Sequence, residues 1–154
     1  MMRYIKSLLR KIRGIPTIKV DPIGFIPYKA HEDDACEDLR AADEYDIDPW
    51  SITTVKTFMR TEIPKGWFGD VRPRSGISSE GLILTNAAGT IDAGYRGFWY
   101  AAFFNATPEK KHIKTGQKIA QVRFVKLDKY HYDYSNKLSE STRGTGGFGS
   151  TGSH

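Results

Sequence analysis

Four short blocks of this sequence carry charged, polar and glycine residues whose types and spacing could serve binding or catalysis. The first reads Pro73-Arg74-Ser75-Gly76 and follows an apolar stretch. It brings a guanidinium, a hydroxyl and a glycine amide together, and all three donate hydrogen bonds to phosphate oxygens. Alone, this block is a common turn sequence, so its meaning depends on the other three.

The second block, residues 86–97, reads Asn-Ala-Ala-Gly-Thr-Ile-Asp-Ala-Gly-Tyr-Arg-Gly. Its two glycine-bounded arms predict a β-hairpin with Asp92 and Tyr95 near its end. The unpaired backbone groups of a hairpin can imitate a base-pairing partner, and a carboxylate beside them can orient and deprotonate a water molecule. In an isolated hairpin, the simpler interpretation of Asp92 is a residue that caps the turn.

The third and fourth blocks lie towards the C-terminus. Residues 116–121 read Gly-Gln-Lys-Ile-Ala-Gln and open a strand. Taken alone, Gln121 is sufficiently interpreted as a polar residue that faces outward from this strand. Residues 143–152 read Arg-Gly-Thr-Gly-Gly-Phe-Gly-Ser-Thr-Gly, and their glycine amides, guanidinium and hydroxyls suit a loop that surrounds phosphates. The loop lacks the Gly-Lys-Ser/Thr ending of a P-loop, and Phe148 can stack on a base.

These blocks lie among predicted strands. The stretches 15–20, 51–59, 67–71, 82–85, 98–104 and 119–127 are rich in β-branched and aromatic residues and are bounded by Gly, Pro, Asn and Asp. Their regular spacing and the fifteen glycines predict an all-β sandwich or barrel. Residues 129–134 are compatible with either a turn of helix or irregular structure.

The composition describes one domain with a modest core, since 39% of the 154 residues are hydrophobic. No apolar run reaches the roughly 18–20 residues that span a membrane, and N-terminal charges interrupt any secretory signal pattern. The single Cys36 excludes an internal disulfide and fits a reducing, cytoplasmic location. One cysteine and four scattered histidines lack the spacing of a structural zinc site.

The net charge of +5 comes from the N-terminus. Residues 1–14 hold five of the 23 basic residues and no acid, which leaves 18 basic against 18 acidic residues in the rest of the chain. Nucleic acid is therefore not an expected partner. Ile5, Leu8, Leu9 and Ile12 recur at helical spacing. This basic extension is a frayed end, a short helix for a partner or a membrane surface, or a targeting segment.

The last part of the chain changes character after Leu138. Residues 139–154 are mostly Ser, Thr, Gly and Arg, and cannot bury enough apolar surface to fold alone. A flexible linker is one interpretation, but Arg143 and Phe148 at fixed places among glycines favour a segment that orders over a ligand. We therefore predict a basic extension (1–14), a β domain (15–138) and a flexible C-terminal arm (139–154).

A fifth block completes the pattern. Residues 35–41 read Ala-Cys-Glu-Asp-Leu-Arg-Ala, similar to the Ala-Gly-x-Asp-Leu-x-Ala motif of the trimeric dUTPase family, with Cys36 where glycine is usual. The five blocks, in order, resemble this family over about residues 17–152. The resemblance implies an all-β, jelly-roll-like β-clip barrel. It also implies Mg²⁺-dependent hydrolysis of dUTP to dUMP and pyrophosphate by a homotrimer, without stable membrane association.

The resemblance assigns the metal and phosphate contacts to three of the blocks. Asp38 is expected to hold Mg²⁺ through water, since Mg²⁺ tends to keep its hydration shell. Arg74, Ser75 and Gly76 are expected to contact phosphates, with Ser75 at the α-phosphate. Gln121 is expected to contact the phosphates as well.

The resemblance assigns the contacts with the uracil base and the sugar to the block at residues 86–97. The resemblance implies that Asn86 and the backbone of Thr90, Ile91 and Asp92 contact the edge of uracil. Asp92 is expected to activate the water that attacks the α-phosphorus and to touch the 3′-hydroxyl. Tyr95 is expected to pack against the sugar and to exclude a 2′-hydroxyl.

The arm completes the implied site. Arg143 is expected to pair with the γ-phosphate, Phe148 to cover the uracil, and Gly149, Ser150 and Thr151 to wrap the triphosphate. In this family each site takes motifs from three subunits, so the resemblance implies that a monomer is inactive.

Two other functions are compatible with parts of the sequence. A dCTP deaminase shares the fold and some motifs, but its catalytic Glu aligns with Ala102, and residues 98–105 contain no carboxylate to carry the proton. A non-enzymatic barrel that binds partners has no need for Asp92, Arg143 and Phe148 together. A pyrophosphate-release assay with dUTP, dCTP, dTTP and UTP separates these possibilities.

Overall fold

The computed structural model describes residues 14–21 and 27–147. These residues contain eleven strands and one short helix. In chain order they are β1 (Lys19–Val20), β2 (Glu37–Arg40), β3 (Tyr45–Ile47), β4 (Ile52–Lys56), β5 (Thr61–Glu62), β6 (Trp67–Pro73), α1 (Ser75–Ser79), β7 (Leu82–Leu84), β8 (Gly89–Ile91), β9 (Tyr100–Asn105), β10 (Lys111–Ile113) and β11 (Lys118–Lys126). The helix of this described part is too short to cross a membrane.

All the strand pairs are antiparallel. The largest sheet has the order β2-β11-β6-β8, a second has the order β4-β9-β7, and β1 with β5 and β10 with β3 form two short ribbons. One buried cluster takes apolar side chains from both larger sheets, including Val71 and Val122 from the first and Val55 and Phe103 from the second. Because side chains alternate along a strand, the opposite face of the four-stranded sheet is left for polar groups.

The predicted all-β class is confirmed, and each of the six predicted strands overlaps an observed one: β1, β4, β6, β7, β9 and β11. Sequence reasoning missed β2, β3, β5 and β10, which are two to four residues long, too short to show a clear alternation. It also missed α1, which has no side-chain cap and only one buried residue, Ile77.

The hairpin predicted for residues 86–97 is wrong in its pairing. Its first arm is β8, but β8 pairs with β6 and not with the second arm. The residues of the predicted second arm form a tight turn instead of a strand, in which the Tyr95 amide donates to the Asp92 carbonyl at 3.1 Å. Residues 129–134 form no helix, and Tyr130, Tyr132 and Tyr134 within them are exposed. Of the predicted N-terminal extension, residues 1–13 lie outside the described part.

A close contact between β6 and Trp99 fixes the centre of the largest sheet. Trp99 is buried, and a Cβ added at Gly69 would lie 2.8 Å from the indole Cη2 atom. Only glycine therefore lets β6 approach the indole so closely. The same glycine lies opposite Ile91 of β8, so this contact also places the strand that leads to Asp92.

A buried carboxylate organises the polar face of that sheet. Asp70 on β6 lies opposite Arg123 on β11, and Arg72 is two residues further along the same face. The Arg72 Nε donates to both Asp70 oxygens at 3.0 Å, and the Arg123 Nε donates to Oδ2 at 2.9 Å. Burial raises the pKa of Asp70, but the hydrogen bonds and charges of the two arginines together lower it below its ordinary value.

This lowered pKa predicts a stability that depends on pH. The stabilisation from Asp70 is fully present above the ordinary carboxyl pKa of 3.8 and is lost as the pH falls through the lower folded value. Replacing Asp70→Asn should reduce the free energy of unfolding at neutral pH, and the difference from the native chain should shrink progressively as the pH falls below 3.8. Urea unfolding at a series of pH values measures this. Asp43→Asn, at an exposed position, is the control and should show no such convergence.

Candidate active site

A cavity of about 320 Å³ gathers the predicted phosphate-binding residues at one end of the largest sheet. Its lining includes Asp38 from β2, Arg74 and Ser75 after β6, and Gln121 from β11. These strands are neighbours, with Asp38 opposite Gln121 and Pro73 opposite Ala120. The pairing of β2, β11 and β6 thus joins three separate sequence blocks into one phosphate-side cavity.

Two cations hold the carboxylate of this cavity. The Arg74 Nε lies 2.8 Å from Asp38 Oδ1, and the Lys118 Nζ lies 2.8 Å from Oδ2. Arg74 also donates to the Lys118 carbonyl at 3.2 Å. Sequence reasoning missed Lys118, and the only signal for it was a lysine within the block at residues 116–121. The arrangement places two cations and one carboxylate at the wall where a polyphosphate is expected.

The remaining residues of the phosphate-side cavity are held in place locally. The Gln121 Nε2 donates to the Pro73 carbonyl at 2.8 Å, which ties β11 to the end of β6. Ser75 begins α1, and a Cβ added at Gly76 would meet nothing within 4 Å. Burial raises the pKa of the Cys36 thiol, which also lines this cavity.

A second cavity, of about 260 Å³, contains most of the residues predicted to bind the base and the sugar. It is lined by Thr90, Ile91, Asp92, Tyr95, Phe98, Trp99 and Tyr100. The Asp92 side chain is exposed at the end of β8. The Tyr95 hydroxyl donates to the Phe98 carbonyl at 2.8 Å, which holds its ring across the segment between β8 and β9. We call this the uracil-side cavity.

The side chain of Asn86 is bonded to the backbone of β9. Its Nδ2 donates to the Tyr100 carbonyl at 3.1 Å, and its Oδ1 accepts from the Ala102 amide at 2.9 Å. Asn86 therefore joins the start of its block to the strand that carries Tyr100. Its direct contact with uracil stays a prediction.

The two cavities of one chain lie towards opposite ends of β6. Ile91 is opposite Gly69, and β8 runs antiparallel to β6, so the chain reaches Asp92 by moving away from Pro73. Pro73 lies four positions after Gly69 on β6, which is about 13 Å at roughly 3.3 Å per position. Asp92 and the Arg74–Ser75 segment of one chain therefore follow strand positions that lie towards opposite ends of β6.

The profile of the dUTPase family matches residues 24–152. This chain belongs to the dUTPase family. The deoxyuridine 5'-triphosphate nucleotidohydrolase of Thermobifida fusca is 39% identical over 140 residues, covering 88% of this chain and 77% of the relative. That of Rhodococcus erythropolis is 37% identical over 138 residues, covering 88% and 84%.

Solved dUTPase structures share the fold of this family member. A mutant of the Staphylococcus bacteriophage 80alpha dUTPase with dUpNHpp superposes with a TM-score of 0.78, at 27% identity, over 88% of this chain and 98% of the phage chain. The phage dUTPase with dUPNHPP but without that mutation gives 0.75 at 26% identity, with the same coverage.

The possible metal ligands in this family member suit an ion that is bound partly by the protein and partly by the phosphates of a substrate. The described residues contain no group of three His, Cys, Asp or Glu side chains that could hold a metal by themselves. Asp38 is a mostly buried carboxylate beside side chains that are predicted to bind phosphate. Mg²⁺ is commonly bound by one or two carboxylates together with substrate phosphates and water, so Asp38 fits such an ion.

The structure describes only the first part of the predicted C-terminal arm. Arg143 is exposed, its Nε donates to the Gly146 carbonyl at 3.0 Å, and it lines neither cavity. The remaining predicted arm residues lie outside the described part: Phe148, Gly149, Ser150 and Thr151.

The bonds of Asn86 predict a measurable effect on stability. Replacing Asn86→Ala removes both of its contacts with β9, and one such bond contributes about 0.5–1.5 kcal/mol net. We expect the free energy of unfolding, measured in urea, to fall by about 1–3 kcal/mol. The exposed Asn136→Ala is the matched control. An unchanged unfolding curve for Asn86→Ala would contradict a stabilising role for these two hydrogen bonds and leave the predicted contact with uracil as the only role of Asn86.

Proposed function

We propose that this chain hydrolyses dUTP to dUMP and pyrophosphate at sites that different copies of the chain complete together. Family membership over residues 24–152 supports the reaction. The separation of the two cavities along β6 supports the sharing of sites. A water molecule and the α-phosphorus must approach to roughly 3–3.5 Å for attack. The group that activates the water and the group that holds the α-phosphate therefore need to come from different copies.

The phosphate-side cavity binds the triphosphate. Arg74 and Lys118 supply charge, while Ser75 and Gln121 supply neutral donors, with Ser75 at the α-phosphate. The incoming phosphates compete with Asp38 for the two cations, because all three groups already lie in direct contact. Asp38 would then be free to hold Mg²⁺, which when bound would neutralise negative charge that develops on the phosphate oxygens.

The uracil-side cavity of a second copy supplies the general base, the side chain that accepts the proton of the attacking water. Asp92 orients a water molecule, accepts its proton as the oxygen attacks the α-phosphorus, and contacts the 3′-hydroxyl of the sugar. The bond from the α-phosphorus to the bridging oxygen breaks, and pyrophosphate leaves. The backbone of Thr90 and Ile91 contacts the edge of uracil. Asn86 holds these groups against β9 and contacts the base from there.

A third copy closes the site with its C-terminal arm, which makes the active form a homotrimer. Arg143 pairs with the γ-phosphate, Phe148 stacks on the uracil, and Gly149, Ser150 and Thr151 wrap the triphosphate. Residues 139–154 act as a separate flexible arm on the β domain of residues 15–138, and residues 1–14 form a basic extension. Closure excludes water and strengthens each phosphate contact.

The structure offers no support for the deaminase alternative. Ala102 lies on β9 at the position of the deaminase Glu, and no residue of 98–105 carries a carboxylate. We place the activity in a reducing cytoplasmic compartment, which the free Cys36 supports. The neutral charge of residues 15–154 gives no reason to expect nucleic acid as a partner.

Complementation between two inactive variants tests the shared site. Asp92→Asn should retain the fold but lose turnover by about 10²–10⁴-fold, because an amide cannot accept the proton of water. Arg74→Ala should lose phosphate binding. When the two variants are refolded together in equal amounts, about one site in four should combine an intact Asp92 with an intact Arg74 from another copy. A pyrophosphate-release assay with dUTP measures the recovery.

A mixture of Asp92→Asn with Asp92→Ala is the control, since no site in it contains an intact base. A chain that ends at Leu138 should restore activity when mixed with either variant, because its missing arm is supplied by another copy. If the first mixture stays as inactive as its components, the two groups act from one chain and the shared site is wrong.

The contact between Tyr95 and its neighbours predicts how the sugar is selected. A Cβ at Gly97 would lie 2.4 Å from the Tyr95 hydroxyl oxygen, so Gly97→Ala must displace the ring. We expect the native chain to prefer dUTP strongly over UTP, and Gly97→Ala and Tyr95→Ala both to narrow that ratio of kcat/KM. Tyr95→Phe keeps the ring and should keep most of the preference. Equal kcat/KM for dUTP and UTP in the native chain would contradict this role of Tyr95.

A further inference from the structure

The segment that carries Asp92 lies beyond the strand pairing that fixes the rest of the uracil-side cavity. β8 ends at Ile91, which is opposite Gly69 of β6. Asp92 and Tyr95 follow this end and belong to no strand. Both are proposed to need a fixed position, one as the general base and the other as the ring that faces the sugar. We call residues 92–97 the Asp92 turn, and its placement depends on contacts other than the sheet ladder.

Arg96 shapes this turn from within. Its Nη1 donates to the Ala93 carbonyl at 2.7 Å and to the Tyr95 carbonyl at 2.9 Å. The Tyr95 amide donates in turn to the Asp92 carbonyl at 3.1 Å. All three bonds join residues of the turn to one another, so they set its internal shape and not its position on the domain.

Arg60 connects the end of the turn to the domain. It lies thirty-six positions before Arg96, and its Nε donates to the Arg96 carbonyl at 3.2 Å. Its guanidinium also lies over the ring of Phe98, 5.1 Å from the centroid, within the range of a cation–π contact. Arg60 itself follows Met59, whose side chain is buried and whose carbonyl accepts from the Trp99 amide at 2.9 Å. The arginine therefore extends from the buried core to the turn.

An acidic partner holds the Arg60 side chain in this position. The Arg60 Nη1 lies 3.3 Å from the Asp21 Oδ2 atom, and the two side chains are 40% and 22% exposed. The Asp21 amide also donates to the Arg60 carbonyl at 3.0 Å, so backbone and side chain both join the pair. A guanidinium can serve Asp21 and Arg96 together because its N–H donors are held in a fixed planar fork.

This connection lies outside the two cavities of the candidate active site. Asp21, Arg60 and Arg96 line a separate cavity of about 300 Å³ beside the β1–β5 ribbon. None of the three lines the phosphate-side or the uracil-side cavity. Any effect of Asp21 or Arg60 on the reaction is therefore expected to pass through the Asp92 turn.

We propose that Arg60 is a positioning residue for the hydrolysis. Anchored by Asp21, it holds the Asp92 turn through the Arg96 carbonyl, so that the general base and the Tyr95 ring keep their places. This inference rests on the proposed function, since it takes Asp92 as the general base. It extends the working part of the molecule to a strand at the N-terminal end of the β domain, away from every residue assigned to the substrate.

Replacing Arg60→Ala tests this role in the kinetics. A misplacement of about 1 Å can cost roughly 100-fold in rate, so we expect kcat for dUTP to fall by about 10–100-fold. KM should change far less, because the backbone of Thr90 and Ile91, proposed to contact uracil, stays paired with β6. The preference for dUTP over UTP should narrow, since Tyr95 is no longer held. A general loss of stability would affect both nucleotides alike and leave that preference unchanged.

Replacing Asp21→Asn tests the anchor and leaves Arg60 in place. We expect the same changes at smaller size, and no further loss when Asp21→Asn is added to Arg60→Ala, because both act through one contact. Arg60→Lys keeps the charge but lacks the fork, so it should retain more activity than Arg60→Ala. Lys19→Ala removes an ion pair with Glu62 on the same ribbon. It is the matched control and should keep native kinetics.

Amide hydrogen exchange measures the turn directly and needs no turnover. In peptides that cover residues 92–98, we expect faster exchange in Arg60→Ala and Asp21→Asn than in the native chain, because the bond from Tyr95 to Asp92 opens more often. Exchange in β8 should stay at the native rate, since its pairing with β6 is intact. Native exchange rates for residues 92–98 in both variants would overturn the proposal.

The outcomes separate this inference from the proposed function. If the native chain hydrolyses dUTP, and both variants keep its kcat and its preference for dUTP, Arg60 is not a positioning residue and the proposed function stands. If Arg60→Ala does not fold, Asp21→Asn decides the question by the same measurements. If the native chain does not hydrolyse dUTP, the proposed function fails, and the exchange rates still decide whether Arg60 holds the turn.

Discussion

The antiparallel pairing of β6 with β11 on one side and β8 on the other decides where each reactive group lies. Its register with β11 brings Asp38 and Gln121 beside the segment that follows Pro73. Because β8 runs antiparallel to β6, the chain moves away from Pro73 as it approaches Asp92. A strand is nearly inextensible, so the distance between these groups within one copy cannot be closed by side-chain motion. The proposed sharing of sites between copies therefore has its physical basis in the topology of this sheet.

Two carboxylates on the polar face of that sheet are each held by two cations, but they serve different ends. Asp70 is buried between Arg72 and Arg123, and loss of a partner would leave a charge in a poorly solvated place. Asp38 forms part of the wall of an open cavity, where an incoming anion can take over its cations. The first arrangement holds strands together, and the second keeps charged groups aimed at the ligand before it binds.

The sequence was most informative where function depends on local chemistry. The blocks around Arg74, Asp92 and Gln121 could be recognised because each carries its donors or its base within a few residues. The pairing of β8 with β6 could not, since it depends on which strand edge is free in the folded sheet. Lys118 was missed for a similar reason, because its contact with Asp38 links residues eighty positions apart.

The contact between Gly69 and Trp99 has a further consequence for ligand binding. The indole forms part of the uracil-side cavity and is also clamped beneath the centre of the largest sheet, with no room for even a methyl group between them. The wall of this cavity, where the nucleotide is proposed to bind, is thus continuous with the closely packed centre of the domain. Little conformational freedom remains to be lost there when the ligand binds. That preorganisation leaves more of the contact energy available for affinity, and any large rearrangement on binding must occur elsewhere in the assembly.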